Sequence, residues 1–266
     1  MRPLLLLILY LLCWLARPIG AQVKHLALHQ TSDPIVIDGV VDRAWAEADS
    51  VSDFFQLEPY YAQPPSVRTM AKVITGPDAL YCLMICYRDG GNVQNLAGLH
   101  DQGSGDIVSV MLDTFDDKQS AYKFAVTAAG VRIDSRLLDD GRNRDYSWDA
   151  VWFADSRVYE WGYIVEIKIP YKSIRFNPDL QEWGLDFDRW AAEAKEDLYW
   201  CRYEKNEGQR ISKFGRLDMR GFRPSQTGLK LEVYPVAIAK ARDLTGNRVK
   251  VDPAAGIDLF FNPSEK

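Results

Sequence analysis

Two tryptophans and two arginines crowd the run Arg142-Asn143-Arg144-Asp145-Tyr146-Ser147-Trp148-Asp149-Ala150-Val151-Trp152. Trp148 and Trp152 are four apart, so on a strand, with Ala150 between them, they share one face. An aromatic shelf beside the Arg142 and Arg144 guanidinium groups would suit a carbohydrate or an anionic glycan. The same two indoles would serve equally as core, because tryptophan is highly buried on average.

Three carboxylates, Asp113, Asp116 and Asp117, lie in one turn. They could hold a hard cation such as calcium through oxygen ligands, or simply form a solvated turn. Asp106, Asp113 and Glu166 are the acids a glycosidase would draw on, but it needs two of them about 5 to 9.5 Å apart across a cleft, and no spacing here shows that. No nucleophile elbow, phosphate loop or metal-helix motif is present. His25 and His29 would share a face, yet two histidines without a third ligand do not make a zinc site. The expectation is a non-catalytic chain without a cofactor, with calcium as the one open question.

The N-terminus places Arg2 before the apolar run Leu4 to Leu15 and the small residues Gly20 and Ala21. That order is a secretory signal peptide over residues 1–21, and the apolar run is shorter than the ~20 residues of a membrane-spanning helix. Export to the periplasm, the outer membrane or the medium is expected. Cleavage after Ala21 removes two arginines and no acid, taking the net charge from −5 to −7. Acidity with arginines interleaved among aspartates argues against nucleic acid. Cys82 and Cys86, four apart on a strand, are about 13 Å from each other, so at most one bridge could form, to Cys201. Cysteines as small buried hydrophobes are the expectation.

Positioning falls to a series of short strands. Asp106 to Val126 reads as a strand, the acidic turn and a returning strand. Its first limb is a nearly continuous apolar run, which suits a strand covered on both faces. Other predicted strands are 67–75, 79–87, 131–138, 148–154, 161–169, 183–190, 198–203 and 214–218, with a brief helix at 43–48 that Asp42 caps and that buries Trp45. The aromatic segment 53–65 is expected to cover the core, and 90–105 to be a long polar loop. Strands at this spacing with almost no helix predict an all-β antiparallel sandwich over residues 22–221. Residues 222–266 form a linker and a short strand extension, too little to fold alone.

The segments IDGVVDRAW (37–45), ALYCLMICYRD (79–89), DIVSVMLDT (106–114), YIVEIKIPYKSI (163–174), WGLDFDRWA (183–191) and SKFGRLDM (212–219) together resemble the family 9 carbohydrate-binding modules in their looser secreted form. LDTFDDKQSAYKFAVTAAGV and DYSWDAVW resemble the subgroup that precedes bacterial outer-membrane β-barrels, and LKLEVYPVAIAK and GIDLFFNPSEK look like first barrel strands. The resemblance implies a carbohydrate-binding module associated with carbohydrate catabolism, beside partner enzymes that hydrolyse glycosidic bonds. The alternative it implies is a periplasmic interaction module of a barrel or envelope protein with no sugar ligand. It also implies where a sugar would sit. The family's first tryptophan falls at or near Gly103, its acid at Ser109, its arginine at Ala125, its second tryptophan near Gly208 and the neighbouring amide near Lys205. None of these five has the side chain that the family's chemistry calls for.

Overall fold

Along the run from Ile107 to Asp113 the side chains have two destinations. Val108, Val110 and Leu112 are fully buried in the main core, whereas Ile107 and Ser109 line a pocket on the opposite face. A period of two forces that division on any paired strand. The computed structural model describes residues 23–88, 93–96, 103–224, 231–243 and 249–261. The expected leader, and most of the expected loop at 90–105, lie outside them.

In chain order the strands are β1 (His25–Ala27), β2 (His29–Gln30), β3 (Ser50–Val51), β4 (Phe55–Glu58), β5 (Thr69–Thr75), β6 (Ala79–Tyr87), β7 (Asn95–Leu96), β8 (Ser104–Gly105), β9 (Ile107–Asp113) and β10 (Ala121–Thr127). They continue with β11 (Arg132–Leu138), β12 (Asn143–Asp145), β13 (Phe153–Tyr159), β14 (Gly162–Pro170), β15 (Glu182–Ala191), β16 (Glu196–Tyr199), β17 (Gly215–Asp218), β18 (Leu231–Asp243) and β19 (Val249–Phe261). The described residues contain short 3-10 turns but no α-helix. The larger sheet runs β1-β17-β15-β9-β10-β11-β12, with β16 on β15 and β4 on β16. The smaller runs β13-β14-β6-β5-β2, with β3 on β5. The two pack face to face as a β-sandwich, and the predicted hairpin supplies the central strands of the larger sheet.

Their shared core joins Val110, Phe124 and Phe187 from one sheet to Val73, Met84 and Ile167 from the other. One polar side chain spans it. Arg189 of β15 is fully buried and donates to the Arg68 carbonyl (3.0 Å), the Thr69 hydroxyl (3.0 Å) and the Tyr87 carbonyl (3.2 Å) of the opposite sheet. A second, smaller cluster lies on the outer face of the smaller sheet, where Trp45 packs on Ile74, Tyr81 and Ile164. There the buried Glu166 carboxylate accepts from the Trp45 indole (3.1 Å) and from the Gly39 and Asp38 amides (3.0 and 3.2 Å). Gly39 has φ +73°, and a Cβ there would sit 2.6 Å from that of Arg157, so the Asp38-Gly39 turn requires glycine.

Three local expectations are corrected. Residues 43–45 form a single 3-10 turn, and the Asp42 carboxylate accepts the Val36 amide rather than capping it. Residues 148–152 are not strand but the passage from β12 in one sheet to β13 in the other. His25 and His29 do not share a face: β1 pairs parallel with β17 in the larger sheet, and β2 pairs parallel with β5 in the smaller. The β1–β17 ladder is extended by bonds from the Arg216 amide to the Lys24 carbonyl and from the Leu28 amide to the Asp218 carbonyl. Cys82, Cys86 and Cys201 are free and buried.

The contact pattern divides the chain at Pro224/Ser225. In the second unit β18 and β19 form an antiparallel hairpin paired from Leu231↔Phe261 to Asp243↔Val249.

Replacing Arg189 by Met would remove three bonds between the sheets, one of them to the buried Thr69 hydroxyl, so Arg189→Met is expected to lower unfolding stability by about 1 to 3 kcal/mol. Urea titration followed by tryptophan fluorescence checks this, and an unchanged midpoint would contradict the bridging role.

Candidate ligand-binding site

The outer face of the larger sheet is built from the alternate residues its core face leaves over. Register puts Asp188 of β15 beside Ser109 of β9 and Tyr199 of β16, and Ser109 beside Ala125 of β10. Lys123 lies beside Ser135 of β11, and Trp190 beside Asp197 and Ile107. Half of this face is closed by the chain after β16. There the Cys201 amide and Tyr203 hydroxyl bond the buried Asp186 carboxylate, and the Gln209 amide reaches the Met111 sulfur. The other half stays open as a cavity of about 620 Å³, with the Arg144 and Tyr146 side chains of the β12 end at its rim.

Two aromatic rings at the cavity are solvent-accessible, Trp190 at 38% and Tyr146 at 58%, while Tyr199 is buried. Between them lies a polar floor. The Lys123 ammonium pairs with Asp188 Oδ2, and the Ser109 hydroxyl donates to Asp188 Oδ1 (2.6 Å). The Tyr199 hydroxyl donates to Asp197 (3.1 Å). Burial raises the Asp197 carboxyl to about 6, and the neighbouring Asp188 adds to the rise against the pull of Tyr199, Lys123 and Arg144. Exposed rings beside fixed charges and hydroxyls can stack a pyranose and meet its hydroxyl groups with both donors and acceptors.

The residues singled out from sequence are dispersed. Trp152 is 1% exposed and meets Phe124 edge-on at 5.1 Å, and Trp148 packs on Tyr122 (4.8 Å) and Phe124 (5.8 Å). Both indoles fill the flank of the sandwich where the chain changes sheets, on the core side of β10, so the aromatic shelf is corrected. Arg142 points to solvent, bonding the Asp139 carbonyl and lying 3.9 Å from Asp140. Arg144 lines the cavity.

The turn carboxylates serve the turn. Asp113 accepts the Phe115, Asp117 and Lys118 amides, Asp117 accepts the Gln119 and Ser120 amides, and Asp116 pairs with Arg216 (2.6 Å). Among the described residues no group of three or more His, Cys, Asp or Glu is arranged to hold a metal ion. The carboxylates weighed for glycoside hydrolysis are likewise apart and engaged. Asp106 holds Arg88 and the Gln94 and Ala192 amides, Asp113 its turn, and Glu166 the Trp45 cluster on the other sheet.

Residues 37–221 match the family model for the carbohydrate family 9 binding domain-like proteins. The chain belongs to that family. Its members of this kind are binding domains, and no enzyme family is indicated. Among solved structures, a family 9 module from Caldicellulosiruptor kristjanssonii in complex with cellotriose has a TM-score of 0.51 at 18% identity, covering 76% of this chain and 95% of that one. The same organism's module in complex with glucose gives 0.51 at 18%, with 77% and 99% covered. A candidate carbohydrate-binding protein from Bacteroides uniformis gives 0.60 at 10%, with 74% and 99% covered. At these identities the likeness is one of fold. A search of curated proteins gave no match.

Three of the five family ligand positions, Gly103, Ser109 and Ala125, line the cavity, whereas Lys205 and Gly208 do not. A Cβ at Gly103 would meet Thr127 Cγ2 at 2.4 Å and Ile133 Cδ1 at 2.8 Å, so no tryptophan fits there without rearrangement. This family 9-like domain carries its accessible rings at Trp190 and Tyr146 instead. Sequence reading missed them together with Lys123, Asp188 and Asp197. The parity of WGLDFDRWA was the available signal for Trp190, since Asp186, Asp188 and Trp190 alternate with Leu185, Phe187 and Arg189.

A folded-state carboxyl near 6 against about 3.9 unfolded makes the native state hold more protons between those values. The Asp197 contribution to stability is therefore full below about pH 4 and lost as pH rises through about 6. Asp197→Asn is expected to flatten the fall in stability between pH 4 and 6 by about 1 to 3 kcal/mol. Denaturant titrations across that range check it, and an unaltered slope would contradict the shift.

Proposed function

We infer that the cavity of this family 9-like domain binds carbohydrate. The observation that carries the reading is the coincidence of Gly103, Ser109 and Ala125 with an open cavity that also presents Trp190 and Tyr146 beside a paired polar floor. The solved family 9 module holds cellotriose and glucose, which supports the same ligand class here. The domain acts by attachment, holding an exported chain, or the machinery it belongs to, against a glycan under breakdown. Bond cleavage belongs to partner enzymes or domains.

A second reading has its own observation. The β18–β19 hairpin has strands of 13 residues each, longer than the 9 to 11 that cross a bilayer in outer-membrane barrels. With the signal-peptide pattern of residues 1–21, it favours a module displayed at the cell envelope ahead of barrel strands. The two readings are compatible if the module presents glycan to a barrel, and they separate on ligand binding.

Isothermal titration with a panel of mono- and oligosaccharides is expected to find a binder. Trp190→Ala should weaken it at least tenfold, the loss expected when a stacking ring is truncated at a hot spot. No binding by any sugar would leave the interaction-module reading. Expressed in a Gram-negative host with its leader, the protein is expected in the envelope fraction with Gln22 as its first residue. Terminal sequencing by mass spectrometry checks this, and an intact Met1 in the cytoplasm would contradict export.

A further inference from the structure

Of the two cations at the cavity, one is spent and one is not. Lys123 is closed into a pair with Asp188, whose other oxygen takes the Ser109 hydroxyl. Arg144 has no carboxylate within ion-pair distance among the described residues. It donates to Gln209 Oε1 at 3.5 Å, the limit for such a bond, and its charge is favoured by the neighbouring Tyr146 hydroxyl and, without a direct ion pair, by the Asp188 carboxylate. A guanidinium offers a planar fork of donors that a carboxylate matches with two parallel bonds, and it cannot shed its charge. Here it stands at the rim beside the exposed Tyr146 ring, with Trp190 also accessible at the cavity.

We propose that the sugar this cavity selects is a uronic acid, its ring stacked on the accessible aromatics and its carboxylate paired with Arg144. The proposal rests on the carbohydrate reading and narrows it. Neutral sugars would leave the one unspent cation facing hydroxyl groups, whereas an acid sugar completes its pairing.

The second carboxylate of the floor makes this selection depend on pH. Asp197 is faced by Asp188 from β15, Lys123 from β10, Arg144 from the β12 end and Tyr199 from its own strand, and Glu58 of β4 is its register partner. Burial and Asp188 raise it to about 6. Below that pH it is neutral and can donate a hydrogen bond to an acid ligand; above it, two negative charges meet in one cavity. Uronate affinity is therefore strongest on the acid side, while the ligand itself, an ordinary carboxylic acid, is still ionised at pH 5.

The test is calorimetric titration of the whole chain with glucuronic and galacturonic acids and their short oligomers, each against its neutral parent, at pH 5 and pH 7.5. The expected result is that at least one acid sugar binds tenfold or more tighter than its neutral parent at pH 5, and that this ratio shrinks at pH 7.5. In Arg144→Gln the ratio should collapse towards one. In Asp197→Asn it should persist at pH 7.5. Equal or tighter binding of the neutral parent, or a preference for acid that survives in Arg144→Gln, would overturn the uronate assignment while leaving carbohydrate binding in place. If neither acid nor neutral sugars bind, both readings fall together.

Discussion

The arrangement turns on one buried guanidinium. Arg189 crosses the core from β15 and ends on two main-chain oxygens and the buried Thr69 hydroxyl of the opposite sheet. Because it must point inward, period-2 alternation sends its neighbours Asp188 and Trp190 outward. Asp188 then orders the floor by taking Lys123 and Ser109, and Trp190 supplies an accessible ring. Clamping the sheets together and shaping the cavity are thus two results of one choice of register. A slip of one residue in β15 would bury an aspartate and a tryptophan edge against the core and expose the arginine.

The binding chemistry of this domain is redistributed relative to what its family resemblance implies. The loop residue at 103 lies so close to the Thr127 and Ile133 side chains that a larger residue there would have to displace them, and Ser109 and Ala125 leave space where longer side chains were expected. That space is what opens the cavity. The aromatic and charged groups around it come from β10, the end of β12, β15 and β16, elements separated in sequence but brought together by the sheet order. Charge balance shifts accordingly, with one ion pair fixed within the floor and Arg144 and Asp197 beside it without a direct ion pair.

Much of the fold was legible because strands announce themselves locally. The runs at 79–87, 107–113, 121–127 and 162–170 alternate cleanly or are apolar throughout, and turn residues bound them. Where reading failed, a β-like composition served another purpose. Trp148 and Trp152 favour strand but fill the gap where the chain changes sheets, a demand that local pattern cannot express. His25 and His29 misled for the same reason, since Leu28 between them is the point of crossing. The site was less legible still. Of the four residues first singled out, Arg144 alone lines the cavity, because linear spacing cannot show which strands become neighbours.

The lead-in strand β1 lies parallel to β17, the last strand of the sandwich, with His25 opposite Arg216 and Ala27 opposite Asp218. The chain therefore enters this pair at one end and leaves it at the other. Tension applied between the start of the sandwich and whatever follows Asp218 runs along the ladder rather than across it. Its hydrogen bonds are then loaded together in shear instead of being peeled one at a time. Were the domain to bear load between a ligand and the rest of its chain, such a geometry would be a mechanical latch, closed by the strands that bear the pull.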